Sequence, residues 1–191
     1  MRALIAVLVL IFSLQSWTKA DDISDFEIEG MSIGDSLLDF YSEKQIKNFE
    51  KYYYSGSKKF FGTGTNVDSA NYDFIQMAVT NDNKYIIYSL SGKLFYENNF
   101  EKCKKKMNLI IKDLNNTLPE NVEIKNEKLG KMPADKTGKS VNTNTTFFFQ
   151  NKDYITVECS DWTDEMDFRD NLKVRFSTKL YNLWLLNEAY N

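Results

Sequence analysis

Five carboxylates lie close together near the C-terminal end of the sequence, at Asp161, Asp164, Glu165, Asp167 and Asp170. Carboxylate oxygens can bind Ca²⁺, and a pair of carboxylates can act as acid and base in glycoside cleavage. The spacing fits neither an EF-hand loop nor a glycosidase pair. We therefore interpret the segment first as a solvated connection between two strands. The five acids stay calcium candidates, and a carboxylate-dependent hydrolase built on residues 161–170 is the alternative function.

A serine lies in the sequence Gly34-Asp35-Ser36-Leu37, which resembles the signature of the GDSL hydrolases. A serine nucleophile needs a neighbouring base, which in that family is a histidine. The chain contains no histidine. The resemblance covers four residues, so we predict no catalytic residue here.

The sequence also lacks the patterns of transition-metal and phosphate sites. The absence of histidine removes the commonest transition-metal ligand, and two cysteines cannot form a structural zinc site. The fragment Thr137–Ser140 lacks the upstream glycine of a phosphate-binding loop, because Pro133 occupies that position. The stretch "FGTGT" does not open a helix. We predict that both are turns, and we expect no cofactor and no bound metal beyond the calcium candidates.

The two cysteines are predicted to face the protein interior. Cys103 lies in an amphipathic stretch with apolar residues at helical spacing, and Cys159 shares one face of a strand with Ile155 and Val157. A disulfide between them would close a long loop and stabilise the fold by about 4 kcal/mol. Two buried free thiols are the alternative.

The first twenty residues are typical of a cleaved signal peptide. Arg2 precedes an apolar run from Ala3 to Leu14, and Thr18 and Ala20 are small residues before the acidic Asp21. This run is short for a membrane-spanning helix. Its removal takes away Arg2 and Lys19 but no acid, which changes the formal net charge from −3 to −5. We expect a periplasmic or secreted protein without stable membrane insertion after cleavage, and without affinity for nucleic acid.

The mature chain alternates short strands with helices. We predict helices over residues 33–41, 43–51, 100–118 and 178–189, and strands over 52–61, 72–80, 85–96, 145–150, 154–159 and 172–176. This order predicts an α+β fold with an antiparallel sheet and helices packed on one face. We expect a single compact domain over residues 21–191, with a polar loop at about 119–144. A duplicated strand-helix unit is the alternative organisation.

The residues around Ser36 are better explained by a helix cap. Ser32 and Asp35 have the spacing of a capping box, in which Ser32 would accept the Asp35 amide and the Asp35 carboxylate would turn back. Ile33, Leu37 and Phe40 then follow at helical spacing, which would leave Ser36 toward solvent.

Three segments carry a wider resemblance, namely "ISDFEIEGMSIGDSLLDFYSEKQI", "YSLSGKLFYENNFEKC" and "VECSDWTDEMDFRDNLKV". They resemble uncharacterised small exported proteins of low-GC marine alphaproteobacteria, a group that implies no activity. The stretch "IEGMSIGDSLLDF" is also similar to the start of the helix in outer-membrane assembly proteins of the SmpA/OmlA type. Together with the absence of catalytic signatures, this predicts a non-catalytic binding or interaction module whose partner is an envelope protein or a small ligand.

Overall fold

The computed structural model describes residues 20–191, so the predicted signal peptide lies outside the described residues except for Ala20. Eight antiparallel strands form one sheet in the order β1-β2-β3-β4-β8-β7-β6-β5. Their bounds are β1 Tyr52–Tyr53, β2 Phe60–Asn66, β3 Phe74–Thr80, β4 Ile87–Phe95, β5 Glu123–Lys131, β6 Val141–Phe148, β7 Tyr154–Asp161 and β8 Asn171–Ser177. The antiparallel sheet of the predicted α+β fold is confirmed.

Within residues 20–191, three α-helices accompany the sheet: α1 Glu43–Asn48, α2 Phe100–Thr117 and α3 Lys179–Asn187. The helix α1 begins with a capping box, in which Ser42 accepts from the Gln45 amide and the Gln45 side chain accepts from the Ser42 amide. Thr178 caps α3 through the Tyr181 amide. No helix within residues 20–191 is long and apolar enough to cross a membrane.

The alternation of side chains along β8 distinguishes the two sheet faces. Leu172, Val174 and Phe176 point to what we call the core face, and Lys173 and Arg175 point to what we call the open face. The core face is closed by α2 and by the segment 26–37, which together contribute buried apolar side chains from Ile28, Met31, Ile33, Leu37, Cys103, Met107 and Leu114. This face holds the main hydrophobic core.

The helix α3 packs in a second cluster on the open face. Its Tyr181 and Trp184 pack with Phe60 and Ala78. Phe61 belongs to the main core, and since side chains alternate along a strand, the neighbouring Phe60 points to the open face. The expectation that the helices share one face is therefore corrected: α2 and α3 lie on opposite faces. The strand order agrees with a duplication in which β1–β4 correspond to β5–β8. A two-fold rotation that exchanges the antiparallel strands β4 and β8 keeps each face of the sheet on the same side, so it does not relate α2 to α3.

The two cysteines meet where α2 packs on β7. The Cys103 and Cys159 sulfurs are 2.06 Å apart, which is disulfide-bond length, and both side chains are buried. The sequence placed each on the apolar side of its element, and the helix-on-sheet packing brings the two together.

The predicted helix over residues 33–41 is wrong. The segment contains one turn of 3₁₀-helix at Leu37–Asp39, and Ser36 caps it by accepting from the Leu38 amide at 3.1 Å. The Ser36 hydroxyl also donates to the Lys84 carbonyl at 2.6 Å. The helix fails because the backbone of this segment bonds to the start of β4 instead, with Gly34 and Leu37 donating to the carbonyls of Ile87 and Tyr85.

The predicted Ser32 cap is only half present. The Asp35 carboxylate accepts from the Ser32 amide at 2.7 Å, as expected. The Ser32 hydroxyl, however, donates to the Phe26 carbonyl at 3.1 Å and does not accept from Asp35. Ser36 therefore takes the capping role that was assigned to Ser32.

Two predicted loops are in fact strands. The polar loop at about 119–144 contains β5 and the start of β6, and β5 is an edge strand with mostly exposed side chains, so it lacks an apolar period. The "FGTGT" stretch lies in β2. Gly62 and Gly64 belong there because a Cβ at either position would crowd the ring of Tyr52 or Phe74.

Candidate functional site

The part of the open face that α3 leaves uncovered forms a cleft over β4, β8, β7 and β6. A row of side chains crosses these strands at one level, because Lys93 pairs with Lys173, Lys173 with Glu158, and Glu158 with Asn144. A second row contains Asn142, Ser160 and Asn171. The cleft has a volume of about 660 Å³, within the range of small-molecule sites.

An ion pair occupies the centre of the cleft floor. The Lys173 Nζ lies 2.8 Å from Glu158 Oε1, and the two side chains expose 15% and 14% of their surface. Ser160 donates a further hydrogen bond to the same Glu158 oxygen at 3.1 Å. Both charges are thus largely removed from water, which is costly unless each has a partner.

Burial shifts the ionisation of both partners. It lowers the pKa of Lys173 to about 8, and the charge of Arg175 adds to this effect while Glu158 opposes it. Burial alone would raise the pKa of Glu158, but the charge and hydrogen bond of Lys173 outweigh it, so the net shift is downward. At neutral pH the pair is therefore charged, with Lys173 the group closer to its titration point.

Lys93 is the second cation of the floor, directly beside Lys173. Its Nζ lies 5.7 Å from the centre of the Phe74 ring. Among the ion pairs of the residues 20–191, none involves Lys93. Burial, followed by the charge of Arg175, lowers the pKa of Lys93. The floor thus places two ammonium groups beside one carboxylate.

Aromatic side chains form the walls. Phe74 and Phe95 extend from β3 and β4, and Trp162 and Phe168 extend from the loop between β7 and β8 with their ring centres 4.8 Å apart. The Arg169 guanidinium lies 3.7 Å from the centre of the Phe95 ring. Met132 and Ala134 complete the apolar lining.

Two loops hold the rim in place. In the β5–β6 turn, the buried Asp135 carboxylate accepts from the amides of Thr137, Lys139 and Ser140. Burial raises the pKa of Asp135, but these hydrogen bonds outweigh burial and keep its pKa well below the usual range. The Ser140 hydroxyl accepts from the Thr163 amide at 3.0 Å, which ties this turn to the β7–β8 loop.

The acidic segment 161–170 forms the β7–β8 connection, and its carboxylates have separate partners. Asp170 accepts from the amides of Trp162 and Asn98, at 2.7 and 3.1 Å. Glu165 lies 2.5 Å from the Lys139 ammonium. Burial, and then the charge of Asp170, raises the pKa of Asp161. These contacts make the segment a structured strand connection that forms part of the cleft rim.

The calcium candidates do not converge. Of the five acids, Asp167 alone lines the cleft, and Asp164 lies in the 3₁₀ turn Asp164–Met166. Among the described residues no group of three or more His, Cys, Asp or Glu side chains is arranged to hold a metal ion. The five acids therefore form no calcium cage within residues 20–191.

Sequence reasoning missed Lys93, Lys173 and Glu158. The signal was present: "GKL" places one cation and "LKVRF" two cations next to apolar residues of a strand, and "TVEC" places a carboxylate likewise. A charge in the middle of a central strand is half-buried whichever face it occupies. What the sequence does not show is that β4, β8 and β7 are neighbours in the sheet.

The chain has no match among family models, among curated proteins or among solved structures. The function of the cleft is therefore inferred from its geometry alone.

Proposed function

We propose that the protein is a non-catalytic binding protein whose cleft holds a small organic anion with an apolar or aromatic body. The observation that carries this proposal is the composition of the cleft floor, where Lys93 and Lys173 lie side by side with Glu158 as their carboxylate neighbour. A bound anion would supply the ion-pair contact that Lys93 lacks among residues 20–191.

The cleft walls support the apolar part of the ligand. Phe74, Phe95, Trp162 and Phe168 surround the lysines, and apolar walls with a few convergent polar groups are typical of small-molecule sites. The low dielectric of such a site also strengthens an ammonium–carboxylate contact. The chain has a net charge of −3, so its surface as a whole does not attract anions. The local excess of cations in the cleft therefore directs an anion to the cleft more specifically than a basic surface would.

The same proposal includes the expected compartment. The signal-like segment supports export to the periplasm, and an oxidising compartment suits a Cys103–Cys159 bond. We expect the mature protein to begin at Asp21. Intact mass of the exported protein measures this, and a product that retains residues 1–20 would contradict it.

Calorimetric titration with a matched pair of probes tests the ligand class. The anionic probe is 2-naphthoate, and 2-naphthamide is its neutral counterpart of nearly the same shape. We expect 2-naphthoate to bind about tenfold more tightly, which corresponds to about 1.4 kcal/mol. Equal affinity for the two probes, or binding of neither, would contradict the proposal.

A variant locates the anion within the cleft. Lys93→Met removes one ammonium group without leaving a carboxylate unpaired, and we expect it to reduce the preference for 2-naphthoate to about twofold or less. Lys112→Met removes an exposed lysine of α2 and is the matched control. An equal loss in both variants would assign the preference to the overall charge of the protein.

A further inference from the structure

The lysine pair has the arrangement that converts an amine into a nucleophile. We propose that Lys93 forms a reversible imine with an aldehyde or ketone that also carries a carboxylate, such as a small 2-oxo acid. This inference rests on the proposed anion-binding cleft and names the chemical class of its ligand.

The geometry favours Lys93 as the attacking amine. Lys93 and Lys173 are direct cross-strand partners on β4 and β8, so their side chains rise from adjacent points of the same face. Lys173 is held by Glu158 at 2.8 Å, and this contact favours the ammonium form of Lys173. Because Glu158 holds the Lys173 ammonium, Lys93, which has no ion pair within residues 20–191, is the amine that can approach the carbonyl of a ligand.

The surroundings of Lys93 support the same assignment. Its Nζ lies beside the Phe74 ring, and its side chain lines both the cleft and a neighbouring hollow of about 420 Å³ bordered by Gly64 and Gln76. An amine in an apolar setting next to a second cation has a lowered pKa, which is one established way to activate a lysine. Burial lowers the pKa of Lys93 in this sense.

The reaction balances with the groups present in the cleft. The lone pair of Lys93 Nζ adds to the carbonyl carbon, and the carbonyl oxygen takes a proton from Lys173. Lys93 Nζ then loses a proton, which restores the Lys173 ammonium and leaves a neutral carbinolamine. Lys173 then protonates the hydroxyl as the C–O bond breaks, so one water molecule is released and a protonated C=N bond forms. Loss of the N–H proton to Lys173 gives the neutral imine and restores the Lys173 ammonium. A pKa of about 8 suits Lys173 to donate and accept a proton near neutral pH.

The ligand carboxylate has its own contacts available. The amide side chains of Asn142 and Asn171 line the same floor, and the Asn171 amide, which donates one hydrogen to the Arg169 carbonyl, keeps a second. With Lys173 they form a polar set beside Lys93, where a carboxylate one bond away from the carbonyl would lie. An aldehyde without a carboxylate lacks this orientation.

Reductive trapping tests the inference. The mature protein is incubated with glyoxylate and cyanoborohydride, which fixes an imine as a stable secondary amine, and the modified lysines are identified by peptide mass spectrometry. We expect Lys93 to be labelled about tenfold faster than the exposed Lys112, as for a lysine activated by its surroundings. With propanal, which has no carboxylate, the ratio should fall toward one.

Two variants separate the outcomes. Lys93→Arg should lose the fast-labelled site, whereas Lys112→Arg should keep it. Labelling of Lys93 no faster than Lys112, or fast labelling at another lysine, would overturn the imine inference. Because 2-naphthoate has no aldehyde or ketone, its binding tests the anion site separately.

Discussion

The strand β8 contributes to two very different environments. On the core face, Leu172, Val174 and Phe176 are closed over by α2 and are almost completely buried. On the open face, Lys173 is also largely buried, but as a charge beside Glu158. Apolar burial on the core face supplies stability, whereas charge burial on the open face is unfavourable unless it serves another purpose. This difference supports the proposed binding role of the cleft.

The largest expected effect is a loss of stability on substitution of a core-face residue. Phe176→Ala, at a core-face position that is 4% exposed, should lower the free energy of unfolding by about 3–5 kcal/mol through the lost burial and the cavity left behind. Urea denaturation followed by circular dichroism measures the change.

The matched substitution is Phe168→Ala on the cleft rim, where the ring is 57% exposed. It should cost about 0.5 kcal/mol or less, as expected at an exposed position. The same variant should weaken 2-naphthoate binding, because Phe168 forms a cleft wall. Equal stability losses in the two variants would contradict the division between a structural face and a binding face.

The disulfide belongs to the core face and should matter nearly as much. Replacing both Cys103 and Cys159 by serine should cost about 4 kcal/mol, the chain-entropy value for a separation of 56 residues. Chemical denaturation compares this variant with the oxidised wild type. Two alkylatable thiols in the unfolded, unreduced mature protein would show that the bond is absent.

On the open face, the ion pair should behave as a unit. Lys173→Met leaves Glu158 buried without its cation and should cost about 2 kcal/mol, less than for a fully buried pair because some exposure remains. The double variant Lys173→Met/Glu158→Met should recover most of this loss. A double-mutant cycle measured by urea denaturation gives the coupling free energy. Additive losses would show that the two side chains are independent.

The lowered pKa of Lys173 should make ligand affinity depend on pH. An anion favours the protonated lysine, so the affinity for 2-naphthoate should be nearly constant below pH 7 and fall about tenfold between pH 7 and pH 9. Calorimetric titration over this range measures the change, and Lys173→Arg should remove most of it. An affinity that rises with pH would contradict the assignment.

The stability of the free protein should change in the opposite sense. The pKa of Lys173 is about 8 in the folded chain and 10.5 as an ordinary lysine. The unfolded state therefore binds more protons between these values, and the contribution of Lys173 to stability rises with pH across this window. Lys173→Met should lack this contribution in urea denaturation at pH 7.5 and 9.5.

The smallest effects concern the segment that closes the core face near Ser36. Ser36→Ala removes a 3₁₀-helix cap and the hydrogen bond to Lys84, and should cost about 1 kcal/mol. Ser32→Ala removes one hydrogen bond, to the Phe26 carbonyl, and should cost about 0.5 kcal/mol. Thermal denaturation compares the two. A larger loss in Ser32→Ala would restore the cap predicted from the sequence.

The core face was the more predictable part of the molecule. Its strands and α2 follow from apolar periodicity, and the inward directions of Cys103 and Cys159 follow from the same pattern. The segment around Ser36 was mispredicted because its amide groups bond to β4, a long-range contact that overrides local helical spacing. Strand β5 was missed because an edge strand with two exposed faces carries no apolar alternation.

The candidate site was less predictable for a related reason. Lys93, Lys173 and Glu158 come from three strands. Their proximity depends on the pairing of β4 with β8, two strands that are far apart in the sequence. The acidic segment attracted attention because its residues are close together in sequence, yet Asp170 and Glu165 bind neighbouring amide and lysine groups that hold the loop in place. Proximity in space, which decides the chemistry, is set by strand order.

A crystal structure of the mature chain with 2-naphthoate tests the central claim most directly. The account predicts that the carboxylate lies within hydrogen-bonding distance of Lys93 Nζ or Lys173 Nζ, with the rings against Phe74, Phe95 or Phe168. Binding of the rings on the exposed leucines of α3, or a carboxylate that contacts neither lysine, would contradict it.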